Sequence, residues 1–566
     1  MKRNLLALTD SVYDLLVVGG GIYGACVARD AALRGLSVAL VEKSDFGAAT
    51  SANSLKIIHG GLRYLQHADF MRMRESVKEQ QVLMRIAPHL VHPLPVLIPT
   101  YGHWLQGKEA FALALLANHW INFGINFGIS FGRDRLVRSQ SCLPRGRVIS
   151  KSEVLQLAPG IRQQGLTGGA IFYDAQMSNS ERLIFAFLRS AEQAGAQLAN
   201  YTEVKGFLKE KDTVIGVEAS DTLTGDQLQI RAKTVVNTCG PWVSSILDSL
   251  RGHAAQQSHG QVLFTKAMNV LTRPFFPRHA VGVAGKNRYN DTDAVLNKGN
   301  RLLFITPWRG FSLIGTAQIA YDGNPEDCKA SEEEIENFLR EVNQAYPAAN
   351  LKREDIVFVH SGLLPSSGIC RTTGDVQVTK HYQIHDHRGE GIKGLLSVVG
   401  VKYTTARRVA EKVVDRVFES WGHKPPQSPS SYTPLHSGRI EQFEPFLRAH
   451  IKDRPSNLNE EVMNHLVGNY GSAYQDVLQY LNVPRASTSG DRCSVLRAEV
   501  LHGIRDEMAQ KLSDVVFRRT DLGTAGHPGD EALRVCADVM SAELGWNLSR
   551  TQHELQDVNK IFSMRQ

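Results

Sequence analysis

Three glycines and one acid carry the first chemistry the chain offers. Gly19, Gly21 and Gly24 satisfy G-x-G-x-x-G directly after the apolar run Tyr13-Asp14-Leu15-Leu16-Val17-Val18. That run reads as a buried parallel strand. A helical pattern from Ala25 to Arg34 follows, then a stop at Gly35 and a second strand, Ser37-Val38-Ala39-Leu40-Val41, ending in Glu42. Each residue type answers a need of a dinucleotide. Gly19 turns the chain tightly, Gly21 lets the backbone approach a pyrophosphate, and Gly24 lets the helix lie close on the strand. The helix start offers N–H groups and the positive end of its dipole to the phosphates. Glu42, 18 residues beyond Gly24, can accept hydrogen bonds from a ribose diol. A glycine-rich turn would explain the glycines alone, but not strand, helix, second strand and acid in register.

The residues that follow separate the candidate cofactors. From Asp45 to Leu65 the chain is polar and rich in hydroxyls and glycines, with Thr50, Ser51, Ser54, Gly60 and Gly61. NAD has no use for such a segment so near its first ribose. FAD lies extended, and the segment can follow it from pyrophosphate to ring. FAD is therefore the expected cofactor, held by Gly19, Gly21, Gly24, Glu42, Lys43, Thr50, Ser51, Ser54 and Gly61. His59 is the histidine nearest the expected ring. It is the candidate base, with a structural contact to the flavin as the alternative.

Thr50-Ser51 through His59-Gly60-Gly61-Leu62-Arg63-Tyr64-Leu65 closely resembles the FAD-dependent glycerol-3-phosphate dehydrogenase and oxidase family, part of the D-amino-acid-oxidase-like flavoproteins. The resemblance extends along essentially the whole chain. Val236-Asn237 with Gly240-Pro241-Trp242 resembles the family's second FAD signature, and Val204 the residue whose backbone meets the adenine. Gly400-Val401-Lys402-Tyr403-Thr404-Thr405 precedes a helix. The family places such N–H groups at the flavin's pyrimidine carbonyl, where the reduced ring gathers negative charge. Val204, Gly240, Gly400, Lys402, Tyr403 and Thr404 thus join the expected cofactor residues. Arg63, Tyr64 and Lys402 match residues of the substrate pocket and, with His59, form the expected catalytic set.

The resemblance implies an α/β fold: a Rossmann-type FAD-binding domain, an antiparallel β-sheet substrate domain and a C-terminal helical cap domain. The core is expected over 1–424, with FAD-binding segments near 12–100, 165–250 and 385–420 and substrate segments near 101–164 and 255–384. The Pro/Ser-rich stretch 425–432 reads as a linker, and 433–566 as the helical domain. The implied activity is oxidation of sn-glycerol 3-phosphate to dihydroxyacetone phosphate, with hydride passing to flavin N5 and electrons to a quinone or another acceptor.

Three positions depart from the family's pocket. Gln261 stands where a histidine normally faces the substrate. Gln318 replaces an acid in Ile314-Gly315-Thr316-Ala317-Gln318, and Leu364 replaces an arginine before Pro365. Leucine cannot supply a bidentate guanidinium. Arg309, Lys380, Arg407 and Arg371 are the candidates to compensate. The departures keep open a paralogue oxidising a different hydroxyl compound or amine, and a non-catalytic flavoprotein.

Composition sets the outer limits. With 566 residues, 42% hydrophobic and 21% charged, the chain is globular in type and too long for one ordinary domain. A net charge of +7 mildly favours anionic substrates. No basic run suggests nucleic acid. The seven cysteines are scattered, with no Cys-x-x-Cys, which argues against a disulfide scaffold or metal cluster and fits the cytoplasm. No stretch of 18 apolar residues spans a bilayer. The apolar run between Trp104 and Phe131 leaves open a packed helical hairpin or a peripheral membrane contact, and a homodimer is equally left open.

Overall fold

The computed structural model describes residues 1–61, 69–102, 109, 111–112, 115–116, 143–251, 262–288, 300–369, 376–481 and 491–565. Within them the expected α/β architecture is present, built on two sheets and a helical C-terminal part. The first sheet takes the strands that are apolar on both faces. Its parallel centre runs β18 (Leu395–Val399), β10 (Gln227–Asn237), β1 (Val12–Val18), β2 (Val38–Val41) and β7 (Gln197–Ala199). Val17 pairs with Val236 on one side and Leu40 on the other. β17 (Gln383–Asp386) closes one edge antiparallel to β18, and β8 (Thr202–Glu210) with β9 (Thr213–Asp221) extends from β10.

Both faces of this sheet are covered, as a parallel sheet requires. Leu15, Val17, Val38 and Leu40 pack beneath the helices Ile22–Leu33, Ser180–Gln193 and Ala406–Ser420. Leu16, Val18, Ala39 and Val41 pack against the helix Leu5–Thr9 and the β8–β9 hairpin. The helix after the glycine motif is Ala-rich and buried along most of its length, so its backbone sits close to the strands.

The second sheet runs β16 (Val376–Val378), β15 (Ile356–Ile369), β11 (Leu263–Thr272), β14 (Phe311–Tyr321), β13 (Asn300–Trp308), β12 (Ala280–Arg288), β4 (Val91–Tyr101), β6 (Leu166–Met177) and β3 (Ile57–Ile58), with β5 (Arg147–Ile149) on β6. Its pairings are antiparallel except β12 with β4. The helix Glu332–Ala345 backs one face. That helix starts at a capping box, in which the Glu334 N–H donates to Ser331 Oγ and the Ser331 N–H to Glu334 Oε2.

Here the expected segmentation needs correcting. β4 and β6 fall inside the stretches 12–100 and 165–250 assigned to FAD binding, yet both belong to the second sheet. By sequence the prolines at 93, 95 and 99 favour only a short strand, Val96-Leu97-Ile98, between them. The strand runs eleven residues through Pro93, Pro95 and Pro99. All three share one parity, so their missing N–H groups need not interrupt the ladder to β6.

The chain's C-terminal part is helical, as expected, from Phe443–Lys452 to Leu548–Ser563. Its core is shared with the second sheet through Leu271, Trp308, Leu313 and Phe358. The 425–432 stretch is no loose linker. Arg29, 1% exposed, donates to the Ser430 carbonyl at 3.1 Å, Arg407 donates to Ser430 Oγ at 2.8 Å, and Ser428 bonds Asp30. Paired polar groups, rather than apolar ones, hold this strap down.

Buried ion pairs fasten the helical part to the rest. Arg519 reaches both oxygens of Asp45 at 2.7 Å, and Arg518 adds a third contact. Arg182 bridges Glu507 at 2.6 and 2.8 Å. Burial opposes ionisation of Asp45, but Arg519 and Arg518 hold its carboxyl well below the usual range. A depressed folded-state value means the contribution is fully present above the unfolded value of about 4 and is lost only as strong acid protonates the group. Asp45→Asn should cost about 3–5 kcal/mol by leaving the Arg519 charge buried without its partner. The measurement is the thermal midpoint at neutral pH, and an unchanged midpoint would sink the assignment.

Candidate functional site

A cavity of about 820 Å³ lies between the two sheets. That volume is within the range of well-formed small-molecule sites, about 300–1,000 Å³. The cavity has a nucleotide end and a reactive end, and the sequence explains each.

At the nucleotide end, β1 stops at Val18 and Gly19 turns the chain with φ of +103°. A Cβ there would sit 2.8 Å from the Thr238 carbonyl oxygen, so the ends of β1 and β10 can approach only because Gly19 has none. At Gly24 a Cβ would meet the Gly19 oxygen at 1.8 Å. Gly24 does not line the cavity; it packs helix on strand, the role expected of it. Gly21 caps the helix start, where the Ile22 N–H donates to Ser51 Oγ at 3.1 Å.

Glu42 accepts from the Gly20 N–H at 2.7 Å and the Ser44 N–H at 3.0 Å. Burial raises its pKa, with the Ser44 and Gly20 N–H groups acting the other way. Oε1 also accepts from Ser44 Oγ at 3.3 Å, so it is Oε2 that keeps a lone pair with which Glu42 can order the glycine turn and still receive a ribose. Lys43 lies 3.8 Å over the Trp242 ring, beside Val204 and Gly240 in the same lining. Thr50 also lines the cavity, but its hydroxyl is taken by the Leu363 backbone, donating at 3.1 Å and accepting at 3.2 Å. Ser54 Oγ accepts from the Lys56 N–H at 3.2 Å.

At the reactive end three chain segments meet. Thr404 Oγ1 accepts from the His59 N–H at 3.2 Å, joining the polar loop to the segment after β18. Tyr23, from the glycine-motif helix, donates to the Lys402 carbonyl at 2.7 Å and accepts from the Lys402 N–H at 3.2 Å. A Cβ on Gly400 would come 2.1 Å from the Tyr23 ring, so glycine is required for that approach. Gly61, Lys402, Tyr403 and Thr404 all line the cavity. Lys402 is half-buried; burial, with the Arg72 charge adding to it, lowers its pKa to about 7.

His59 opens on the cavity with its side chain 43% exposed, and its Nδ1 is 3.1 Å from Asp174 Oδ2. The other Asp174 oxygen accepts from the Gly60 N–H at 2.7 Å. Asp174 thus orients both the imidazole and its loop, a base-plus-orienter arrangement. Sequence reasoning misses Asp174, because no spacing rule links it to His59. Arg72 was also missed, and it lines the cavity.

Arg63, Tyr64, Gln261, Arg371 and nearly all of the Trp104–Phe131 run lie outside the described residues. Leu364 and Gln318 do line the cavity. Of the proposed compensating cations, Lys380 lines it too. Arg309 instead pairs with Asp521. Arg407 is 2% exposed and grips Glu79 at 2.6 and 2.8 Å. Its position in the helix Ala406–Ser420 falls on the buried face, so it is a core ion pair and not a pocket cation. No helix among the described residues is long and apolar enough to cross a membrane.

The glycine cradle, the helix start, the paired Glu42 and the cavity of about 820 Å³ fit a flavin dinucleotide. Comparisons with known proteins agree. Residues 14–406 match the family described as FAD dependent oxidoreductase, and residues 429–551 the C-terminal domain of alpha-glycerophosphate oxidase. A glycerol-3-phosphate dehydrogenase of Synechocystis sp. is 32% identical over 98% of this chain and 97% of its own. The mitochondrial glycerol-3-phosphate dehydrogenase of Homo sapiens is 29% identical over 99% of this chain and 74% of its own. The crystal structure of glycerol-3-phosphate dehydrogenase from Bacillus halodurans, complexed with FAD, shares the fold with a TM-score of 0.75 at 22% identity, covering 99% of this chain and 96% of that one.

Gly21→Val tests the cradle. The added side chain would enter the cavity beside Ser51, where a Cβ alone already comes 3.2 Å from Oγ. The variant should purify colourless, and a yellow variant with normal FAD content would remove the basis for the cofactor site.

Proposed function

Because the chain belongs to the FAD-dependent oxidoreductases of the glycerol-3-phosphate dehydrogenase family, we propose that it oxidises sn-glycerol 3-phosphate to dihydroxyacetone phosphate. The observation that carries this reading is the grouping of the His59–Asp174 pair and the Lys402 cation at one end of a cavity whose other end is a dinucleotide cradle. The cofactor is FAD, which when bound accepts at N5 the hydride leaving the carbinol carbon.

The protein's own part is proton transfer and charge placement. His59 Nε2 takes the hydroxyl proton as the carbonyl forms, so the O–H and C–H bonds break while C=O is made. Asp174 accepts from the Nδ1–H, fixing the tautomer and stabilising the imidazolium that results. Protonated Lys402, with Arg72 and Lys380 in the same lining, supplies the positive potential that holds the phosphate. Leu364 leaves that task to these cations. Electrons then leave the reduced enzyme for a quinone or another acceptor.

Leu364 and Gln318 in the lining favour one second reading, a hydroxyl compound or amine without a phosphate. Anaerobic mixing with glycerol 3-phosphate decides between them. Bleaching of the oxidised flavin's visible absorbance is expected, and bleaching only by other alcohols or amines would replace the substrate assignment. His59→Gln should slow that bleaching by about 10²–10⁴-fold with FAD content intact.

The Lys402 charge gives a further check. A lysine titrating at about 7 is charged below that pH and neutral above it. On this account kcat/KM for glycerol 3-phosphate falls as pH rises through about 7. Lys402→Arg keeps its charge and should abolish that alkaline limb. An unchanged limb in the variant would show that Lys402 is not the group responsible.

A further inference from the structure

On the edge of the first sheet, far along the chain from the glycine motif, two histidines and a glutamate face one another. His385 sits on β17, and His387 and Glu390 begin and end the short 3₁₀ turn that follows it. One donor atom from each lies within 4.8 Å of the other two. Glu390 Oε1 is 2.6 Å from His385 Nε2, and Oε2 is 3.3 Å from His387 Nδ1. The two rings meet edge to face with centroids 4.5 Å apart.

We propose that His385, His387 and Glu390 form a binding site for a divalent transition-metal ion, of which Zn²⁺ is the type. Ligands held at about 2.0–2.2 Å in a tetrahedron are roughly 3.3 Å from one another. His387 Nδ1 stands at that distance from one carboxylate oxygen and His385 Nε2 nearer than that to the other, with one donor of each residue inside 4.8 Å of the rest, so small side-chain rotations bring three donors to one ion. A simple surface ion pair needs only one histidine. Here a second imidazole presents a nitrogen to the other oxygen of the same carboxylate.

The outer contacts suit the role. His387 is buried, and its Nε2 is 2.9 Å from Ser397 Oγ on the neighbouring strand β18. A bond from Nε2–H to that hydroxyl leaves the Nδ1 lone pair directed at the site and fixes the ring plane, as outer partners of metal-bound histidines do. His385 and Glu390 are exposed, so ions reach the site directly and the fourth position falls to water. Two imidazoles with one carboxylate select Zn²⁺, Ni²⁺ or Cu²⁺ over Ca²⁺ or Mg²⁺, which prefer oxygen alone.

Occupancy would brace the strand that reaches the reactive end. His385 pairs with Ser397 across β17 and β18, and β18 runs on into Gly400 and Lys402. Ser397 Oγ also accepts from Asn237 at 3.4 Å, and Asn237 Oδ1 from the N–H of Cys239 in the cavity lining. A metal clasp at the edge is thus joined by hydrogen bonds to the wall of the flavin site.

The test uses the FAD-loaded protein, freed of metal by a chelator and titrated with Zn²⁺ against a chromogenic chelator. The wild type should take up one tight equivalent and gain thermal stability, read from flavin release on heating. His385→Ala and Glu390→Gln, both at exposed positions, should each weaken that equivalent by about tenfold or more with the flavin spectrum unchanged. Wild-type protein with no tight equivalent, or a Glu390→Gln variant that binds as tightly as wild type, would overturn the site.

Discussion

A single carboxylate, Asp45, sets the conditions under which the cofactor site can exist. It lies in the polar loop that leaves β2, wholly buried, and receives Arg519 through two bonds and Arg518 through another. Asn200 adds a fourth contact at 3.0 Å. Loops without regular structure usually move over a surface. This one is clamped at its root, so Ser51 can meet the Ile22 N–H and Thr50 can bridge to β15. A buried ion cluster is a poor way to gain stability, since apolar packing often does as well. What it gives here is one arrangement of the loop against the helical part.

From that clamp outward, the site is a meeting of chain ends. The turn after β1, the turn after β10 and the segment after β18 all lie at the same edge of the parallel sheet, the carboxyl ends of the strands, where open α/β sheets place their ligands. Two cross-links tie them: Tyr23 to the Lys402 backbone, and the His59 N–H to Thr404. The second sheet supplies Asp174, Gln318 and Leu364 from three different strands. Cofactor residues therefore come from local motifs, whereas the chemistry of the substrate end is assembled from remote ones.

That division explains what could be read in advance. Gly19, Gly21, Gly24 and Glu42 are legible because their roles follow from neighbours within one βαβ unit. The 400–404 segment is legible for the same reason, a strand end feeding a helix start. Asp174 is not, because its partner His59 is 115 residues away and carboxylates are common on strands. Arg407 misled because charge alone gives no direction. Its neighbours Ala406, Val409 and Ala410 mark a buried face, and Glu79, from a distant helix, is what makes a cation tolerable there. The full length of β4 is hidden in the sequence, because prolines count against a strand unless their parity against the partner is known. The His385-x-His387-x-x-Glu390 spacing is not legible as a metal pattern by itself, since the donors meet only when a strand end and a 3₁₀ turn fold them together.

The Asp45 clamp also sets an order of events during synthesis. Its partner Arg519 lies 474 residues further along the chain. At ribosomal rates of about 5–20 residues per second, the glycine motif and its loop leave the ribosome on the order of tens of seconds before their counter-charges. Through that interval Asp45 is a solvated acid, and the loop keeps only nearby contacts such as that of the Gly47 N–H with the Gly20 carbonyl at 3.1 Å. The last clamp on the cofactor loop is thus closed late in the birth of the molecule, by the C-terminal helices and not by the N-terminal motif that contacts the cofactor.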